Sequence, residues 1–136
     1  MTKPKILIVD DDTIILDSLC EFLNIEGYQC DGATSVTQAK EKLSFQNYAL
    51  VISDVNMPDG DGFEILNLIC ENHPRTVVIM ITGYGTIESA VEAIKNGAYD
   101  YLTKPIIDDD LLLAVERSIR QQALMSENQQ LRQQLE

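Results

Sequence analysis

Asp10, Asp11, Asp54, Thr82 and Lys104 lie far apart in the chain, yet each stands where an apolar run stops. Ile6-Leu7-Ile8-Val9 runs into Asp10-Asp11, and Leu50-Val51-Ile52-Ser53 into Asp54. Val77-Val78-Ile79-Met80-Ile81 runs into Thr82-Gly83, and Tyr101-Leu102-Thr103 into Lys104-Pro105. If these four runs are neighbouring parallel strands, their C-terminal ends share one edge, where open α/β sheets gather ligands and chemistry. Three carboxylates, a hydroxyl and an ammonium would meet there. At about 5 Å and an effective dielectric near 20, each carboxylate pair repels by about 3 kcal/mol, a cost that a divalent cation removes. Oxygen ligands without His or Cys favour a hard ion, and a few carboxylates completed by water suit Mg²⁺ better than an all-protein Ca²⁺ cage. Beside such an ion a carboxylate can act as nucleophile toward a phosphoryl group. Lys104 would supply a point charge for the phosphoryl oxygens, Thr82 a hydrogen bond, and Gly83 room for the backbone to approach.

Taken singly, each of these residues is ordinary. An Asp after a strand usually caps the next helix, which is the reading adopted for Asp12; Thr82 alone is a β-branched strand end, and Tyr101 alone a core aromatic. His73 before Pro74 has no partner motif and reads as a loop residue. Joint placement at successive strand ends carries the chemistry.

The elements that must position these groups alternate strictly. Lys5 to Asp10 reads as a buried strand; Asp12 or Thr13 caps a helix with Ile15, Leu19, Phe22 and Leu23 at helical spacing, and Gly27 stops it. Tyr28 to Gly32 suits an edge strand. Thr34 or Ser35 caps a second helix whose inner face carries Ala39 and Leu43. Ala49 to Asp54 is the central strand, buried on both faces. Phe63, Ile65, Leu66 and Ile69 mark a third helix, closed by Asn72-His73-Pro74. Thr76 to Ile81 is a fourth strand. Thr86 to Lys95 is a fourth helix, with a thin apolar face of Ile87, Ala90, Val91 and Ile94. Tyr99 to Thr103 is a fifth strand, and Asp108 caps a last helix that continues to the end of the chain. Such alternation predicts an α/β fold, a doubly wound parallel sheet with helices on both faces.

The 136 residues, 45% of them hydrophobic, suffice for one sizeable core, and the 24% that are charged form no long polar tract. Acidic residues outnumber basic ones 22 to 10, for a formal charge of −12, which disfavours direct binding to nucleic acid. Cys20, Cys30 and Cys70 match no metal-ligand spacing and read as small core residues of a reducing compartment. No apolar run reaches the roughly 20 residues that span a bilayer, and Met1 to Lys5 leads straight into a strand. A cytoplasmic protein without membrane contact is expected.

Val9-Asp10-Asp11-Asp12, Asp54-Val55-Asn56-Met57-Pro58-Asp59-Gly60-Asp61-Gly62, Thr82-Gly83 and Tyr101-Leu102-Thr103-Lys104-Pro105 together resemble the signature of the receiver domain of two-component response regulators. The resemblance covers residues 4 to about 122 and implies a flavodoxin-like (βα)5 sheet of strand order 2-1-3-4-5. It implies that Asp54 accepts a phosphoryl group from the phosphohistidine of a sensor histidine kinase. It implies further that Asp10, Asp11, Asp54 and the Asn56 main-chain carbonyl bind Mg²⁺, and that Lys104 and Thr82 contact the phosphoryl group. Tyr101 would change rotamer as Thr82 moves, and Lys104-Pro105 would be a cis peptide. The expected output is a remodelled face of fourth helix, fifth strand and last helix.

On this reading residues 1–122 form the receiver domain and 123–136 a helical linker. Leu124, Asn128, Leu131 and Leu135 alternate by four and three residues, a coiled-coil seam with Asn128 at an a-like position. The seam slips by about one residue from Val115 and Ile119, which with Leu112 are expected against the sheet. A homodimer is expected, with a covalently linked effector domain beyond Glu136. The linker and Gly83-Tyr84-Gly85 are similar to those of sigma-54-dependent transcription activators, whose next domain is an AAA+ ATPase. Two alternatives stand beside the switch: a Mg²⁺-dependent phosphohydrolase with an Asp nucleophile, and a scaffold with an unused acidic pocket. Such hydrolases typically place a second Asp two residues after the first, where this chain has Asn56.

Overall fold

A computed structural model describes residues 3–83 and 87–135, with side chains for all of these except Ser126 and residues 128–135. The chain alternates β1 (Lys5–Val9), α1 (Thr13–Ile25), β2 (Gln29–Ala33), α2 (Val36–Phe45), β3 (Leu50–Asp54), α3 (Gly62–Asn72), β4 (Val77–Thr82), α4 (Ile87–Lys95), β5 (Asp100–Thr103) and α5 (Asp108–Leu135). The five strands pair in parallel in the order β2-β1-β3-β4-β5, the flavodoxin-like topology. Between β3 and α3, Asn56–Met57 and Gly60–Asp61 form a two-rung antiparallel ladder around Pro58-Asp59. The motif that reads as a turn is thus a small hairpin.

Strand alternation divides the core in two, because successive side chains of a strand point to opposite faces. Leu7, Val9, Val51, Val78 and Met80 pack with Ala39, Leu43, Ile65, Leu66, Ile69 and Ala93 under α2, α3 and α4. Ile6, Ile8, Leu50, Ile52, Ile79 and Ile81 pack with Leu16, Leu19, Leu23, Leu111, Ala114 and Val115 under α1 and α5. Each fully buried large aliphatic side chain contributes about 1.5–3 kcal/mol relative to exposure. That burial holds β1, β3 and β4 in register.

Helix starts follow local chemistry. Asp12 caps α1 by accepting the amides of Ile14 and Ile15, Ser35 caps α2 through the Gln38 amide, and Asp61 caps α3 through the Glu64 amide. Gly27 and Gly97, after α1 and α4, take the left-handed conformation at φ 100° and 112° that favours glycine. His73 is the C-cap of α3, in keeping with a loop role.

Three expectations need correction. The apolar side chains of α4 do not face the core: Ala93 is its one fully buried residue among those described, while Ile87, Val91 and Ile94 are 84%, 46% and 49% exposed. The small Ala93 lets the helix sit close to the sheet, and the larger residues, an arc away, are left to solvent. In α5 the buried stripe is Leu111, Ala114, Val115 and Ser118, so Leu112 is only half-buried. Asp108 opens that helix as its first residue, and the Leu111 amide donates to the Ile107 carbonyl, so the cap lies one residue earlier. Helix α5 runs 28 residues; Leu124 is 56% exposed, and the side chains of Asn128, Leu131 and Leu135 lie outside the described part. Among the described residues no helix is long and apolar enough to cross a membrane.

Gly62 has no room for a side chain: a Cβ there would collide with the Asp54 carbonyl oxygen and crowd the Met80 methyl. Gly83, with nothing within 4 Å of a built Cβ, makes a control. Gly62→Ala is expected to lower stability to urea by about 1–3 kcal/mol through overpacking, whereas Gly83→Ala changes it by less than about 0.5 kcal/mol.

Candidate functional site

Val9 pairs with Ser53 across β1 and β3, so Asp10 and Asp54 are the next residues along adjacent parallel strands. Neighbouring strands lie about 4.8 Å apart, which brings the two carboxylates together without help from a loop. Both are almost fully buried. In each, one oxygen accepts the amide two residues on: Asp12 N donates to Asp10 Oδ1 at 2.9 Å, and Asn56 N to Asp54 Oδ1 at 3.1 Å. The remaining oxygens turn toward Lys104, whose Nζ lies 2.8 Å from Asp54 Oδ2 and 3.0 Å from Asp10 Oδ2. Lys104 follows β5, and its own amide donates to the Thr82 carbonyl at 2.8 Å, anchoring the lysine to the end of β4.

Asp11 is exposed on the rim, and Asp10, Asp11 and Asp54 each present an oxygen within 4.8 Å of the other two. Among the described residues this is the one group of three acidic, His or Cys side chains so placed. Asp10 Oδ2 is buried without a hydrogen bond, its ion-pair contact with Lys104 lacking that alignment. An all-oxygen set holding an unsatisfied buried carboxylate oxygen fits a hard divalent cation.

Burial pushes the Asp10 carboxyl above the usual carboxylate range, against the Asp12 amide and the Lys104 ammonium, which pull it down. Burial would also lower the Lys104 ammonium, but the hydrogen bond to Asp54 and the charges of Asp54 and Asp10 outweigh it and leave the ammonium above its ordinary value.

Thr82 is buried at the end of β4, one residue beyond Ile81, the ladder partner of Asp54. Tyr101 pairs with Met80 on β5 and is half-buried, packing with Val55, Phe63 and Leu68 against the α2–α4 core. The Lys104-Pro105 bond is cis. Asn56 is exposed directly after Val55. Asp10, Asp11, Asp54 and Lys104 therefore meet at one sheet edge, with Thr82 one ladder position away and Tyr101 further back along β5.

Asp59 escaped the sequence reading. It lies in the hairpin turn after the central strand, and its carboxylate reaches the start of α2. Oδ1 accepts the Val36 amide at 2.9 Å, and Oδ2 accepts the Thr37 amide at 3.0 Å and the Thr37 hydroxyl at 2.7 Å. The loop that follows Asp54 is thereby tied to a neighbouring helix. No local signal could have shown this, because the donors are more than 20 residues away.

The sequence profile described as "Response regulator receiver domain" matches residues 6–116. The chain is 36% identical over 117 residues to the phosphoglycerate transport system transcriptional regulatory protein PgtA of Salmonella typhimurium, covering 86% of this chain and 28% of that protein. Its structure resembles the response regulator receiver domain protein (CheY-like) of Methanospirillum hungatei JF-1, with a TM-score of 0.86 and 34% identity over 91% of this chain and 99% of that one. It also resembles the beryllofluoride-activated NtrC4 receiver domain dimer, with a TM-score of 0.83 and 40% identity over 87% and 98% of the two chains. The chain spans about a quarter of the length of the curated relatives it matches.

The hydrogen bonds at Asp59, from the Thr37 hydroxyl first and then the Val36 and Thr37 amides, hold its carboxyl down at about 2. An unfolded Asp titrates near 3.9, so this cap contributes stability above about pH 4 that is lost as pH falls toward about 2. Asp59→Asn should lower the urea midpoint at pH 7, with the gap to the parent protein closing as pH falls through that window. A gap independent of pH would show that the charge plays no part.

Proposed function

The chain belongs to the response regulator receiver domain family of two-component systems, and on that premise we propose that Asp54 is its phosphoryl acceptor, phosphorylated by a sensor histidine kinase. A receiver domain is a signalling switch rather than a catalytic enzyme. The observation that carries the proposal is the buried Asp54 carboxylate, paired with Lys104 and flanked by Asp10 and Asp11 at one sheet edge.

In the proposed reaction an Asp54 carboxylate oxygen attacks the phosphorus of a phosphohistidine. The P–N bond breaks, and the imidazole leaves and takes up a proton. The Asn56 amide on Asp54 Oδ1 keeps the carboxylate oriented. Lys104, close enough to serve either Asp54 or a new phosphoryl oxygen, follows the charge as it moves outward, and Thr82 supplies a hydroxyl from the end of β4. Asp10, Asp11, Asp54 and the Asn56 main-chain carbonyl would hold Mg²⁺, which supplies positive charge to offset that on the transferred oxygens.

We further propose that Thr82 is drawn toward the phosphoryl group, that Tyr101 turns inward, and that the α4-β5-α5 face is the output surface. The exposed Ile87, Val91 and Ile94 of α4 and Leu124 of α5 support this, since apolar residues left to solvent on a lightly buried helix suit a surface that changes partners. Residues 1–122 then act as the receiver, and 123–136, through Leu124, Asn128, Leu131 and Leu135, as a dimerising linker to an effector. The output would be transcription activation of the sigma-54-dependent type that the linker and Gly83-Tyr84-Gly85 resemble; Tyr84 and Gly85 lie outside the described residues. The relatives' own description as transcriptional regulatory proteins supports the direction of that reading.

Incubation with acetyl phosphate and Mg²⁺ is expected to give one acid-labile acyl phosphate per chain, absent from Asp54→Asn and slowed at least tenfold by Lys104→Ala. Sustained multiple turnover would point to a hydrolase instead, and no label at all to a scaffold. Sedimentation with and without beryllofluoride should show a change in the monomer–dimer balance; an unchanged balance would sink the dimer-switch part alone.

A further inference from the structure

The three thiols of the chain are not equivalent. Cys70 is exposed on α3, its Sγ 3.6 Å from the Asn96 carbonyl, on the α2–α4 side of the sheet. Cys20 and Cys30 lie on the opposite side, half-buried, and both pack against the α1–α5 core.

The way α1 crosses the edge strand β2 places these two thiols opposite one another. The Leu16 side chain lies directly over Gly32, 3.0 Å from where a Cβ would stand. Cys20 is one helical turn further along α1, and Cys30 is two residues back along β2 and therefore on the same strand face as Gly32. One more turn along α1, Asn24 Oδ1 accepts the Cys30 amide at 3.0 Å. Leu16 meets Gly32, Asn24 meets Cys30, and Cys20 is the helical residue between Leu16 and Asn24 on the same face of α1. The two thiols lie close enough to perturb one another.

We propose that Cys20 and Cys30 form a two-thiol redox site that closes to an intramolecular disulfide when it meets a hydroperoxide. The site is independent of the phosphoryl chemistry at Asp54.

Their mutual interaction divides the labour. It lowers the Cys20 thiol and raises the Cys30 thiol, so Cys20 is the one of the two that gives up its proton more readily. Burial, with Asp17 and Asp31, works against the Cys20 thiolate, and Lys42 supports it. The Cys20 thiolate attacks the terminal oxygen of the hydroperoxide, an S–O bond forms and the O–O bond breaks. The released alkoxide takes a proton to become an alcohol, or water when the oxidant is hydrogen peroxide. Cys30 Sγ then attacks Cys20 Sγ; the S–S bond forms, and the hydroxide of the sulfenic acid leaves with the Cys30 proton as water. Two thiols lose two electrons, and the hydroperoxide gains them. The bond would tie the middle of α1 to the sheet edge, on the helix that opens directly after Asp10 and Asp11.

The full chain, treated with a few equivalents of hydrogen peroxide in chelator-containing buffer and then alkylated with a maleimide, tests this by mass spectrometry. The tryptic peptide 6–40, which holds both thiols, is expected to lose about 2 Da and to take up no maleimide. After further cleavage at Glu21 and Glu26 the flanking pieces should stay joined until dithiothreitol is added, while Cys70 remains alkylated. Maleimide on both Cys20 and Cys30 after Cys70 has been consumed would overturn the proposal. Disulfides that pair Cys70 with either thiol, or sulfinic acid at Cys20 beside an alkylated Cys30, would do the same. Because the parent chain is the sample, no outcome depends on a variant that fails to fold.

Discussion

Two buried carboxylates on adjacent strands, with one ammonium between them, are the constraint from which the rest of the structure follows. Parallel pairing fixes the spacing of Asp10 and Asp54, and neither strand can yield, since β1 and β3 are buried from end to end apart from Lys5. At about 5 Å and an effective dielectric near 20, the repulsion between two such charges is about 3 kcal/mol, similar to what one buried isoleucine contributes. A cation between the two carboxylates offsets that strain. Lys104 supplies it from the end of β5, and its amide hydrogen bond to the Thr82 carbonyl makes that supply depend on the register of β4 and β5.

Rigidity is distributed unevenly around this point. The loop after Asp54 is held by the Asn56 amide, by the hairpin rungs, by the close approach of Gly62 and by the Asp59 carboxylate on α2. Opposite it, α4 places one fully buried side chain, Ala93, in the core. A charge added at Asp54 would therefore meet a stiff wall on one side and a lightly anchored helix on the other. A helix with little buried apolar surface opens or shifts at low cost, which is what a local electrostatic event needs to produce a distant change.

Much of this was legible in the sequence, for identifiable reasons. Strands buried on both faces are unbroken apolar runs, so their ends, and with them Asp10, Asp54, Thr82 and Lys104, could be placed within a residue. The caps of α1 and α2 depend only on neighbours in sequence and could be narrowed to two adjacent residues each, of which Asp12 and Ser35 make the bonds. The direction in which α4 faces was not, because periodicity finds the apolar arc of a helix but not whether a sheet or solvent covers it. Ile87, Val91 and Ile94 form the stronger arc, and the contact is made by Ala93 instead. Asp59 and the Cys20–Cys30 pair were hidden for a related reason: each gains its meaning from a partner on another element. The expectation that all three cysteines are core residues fails at Cys70, which is exposed.

The length of α5 poses a separate physical problem. At 1.5 Å per residue its 28 residues extend about 42 Å, whereas a domain of roughly 120 residues has a radius of gyration near 14 Å. Its sheet-facing stripe runs from Leu111 to Ser118, with Ile119 half-buried behind it, and Leu124 already faces away. The turns beyond are Gln-rich and carry few apolar residues, so they have little to bury against their own domain. A helix polar over most of its surface is marginal in water by itself, and Leu124, Leu131 and Leu135 at heptad spacing would offer a second helix a narrow apolar seam. Pairing along that seam would couple the stability of the final turns to the distance between two receiver domains. A shift of the α4-β5-α5 face would then be felt in the helix without any direct contact between that helix and Asp54.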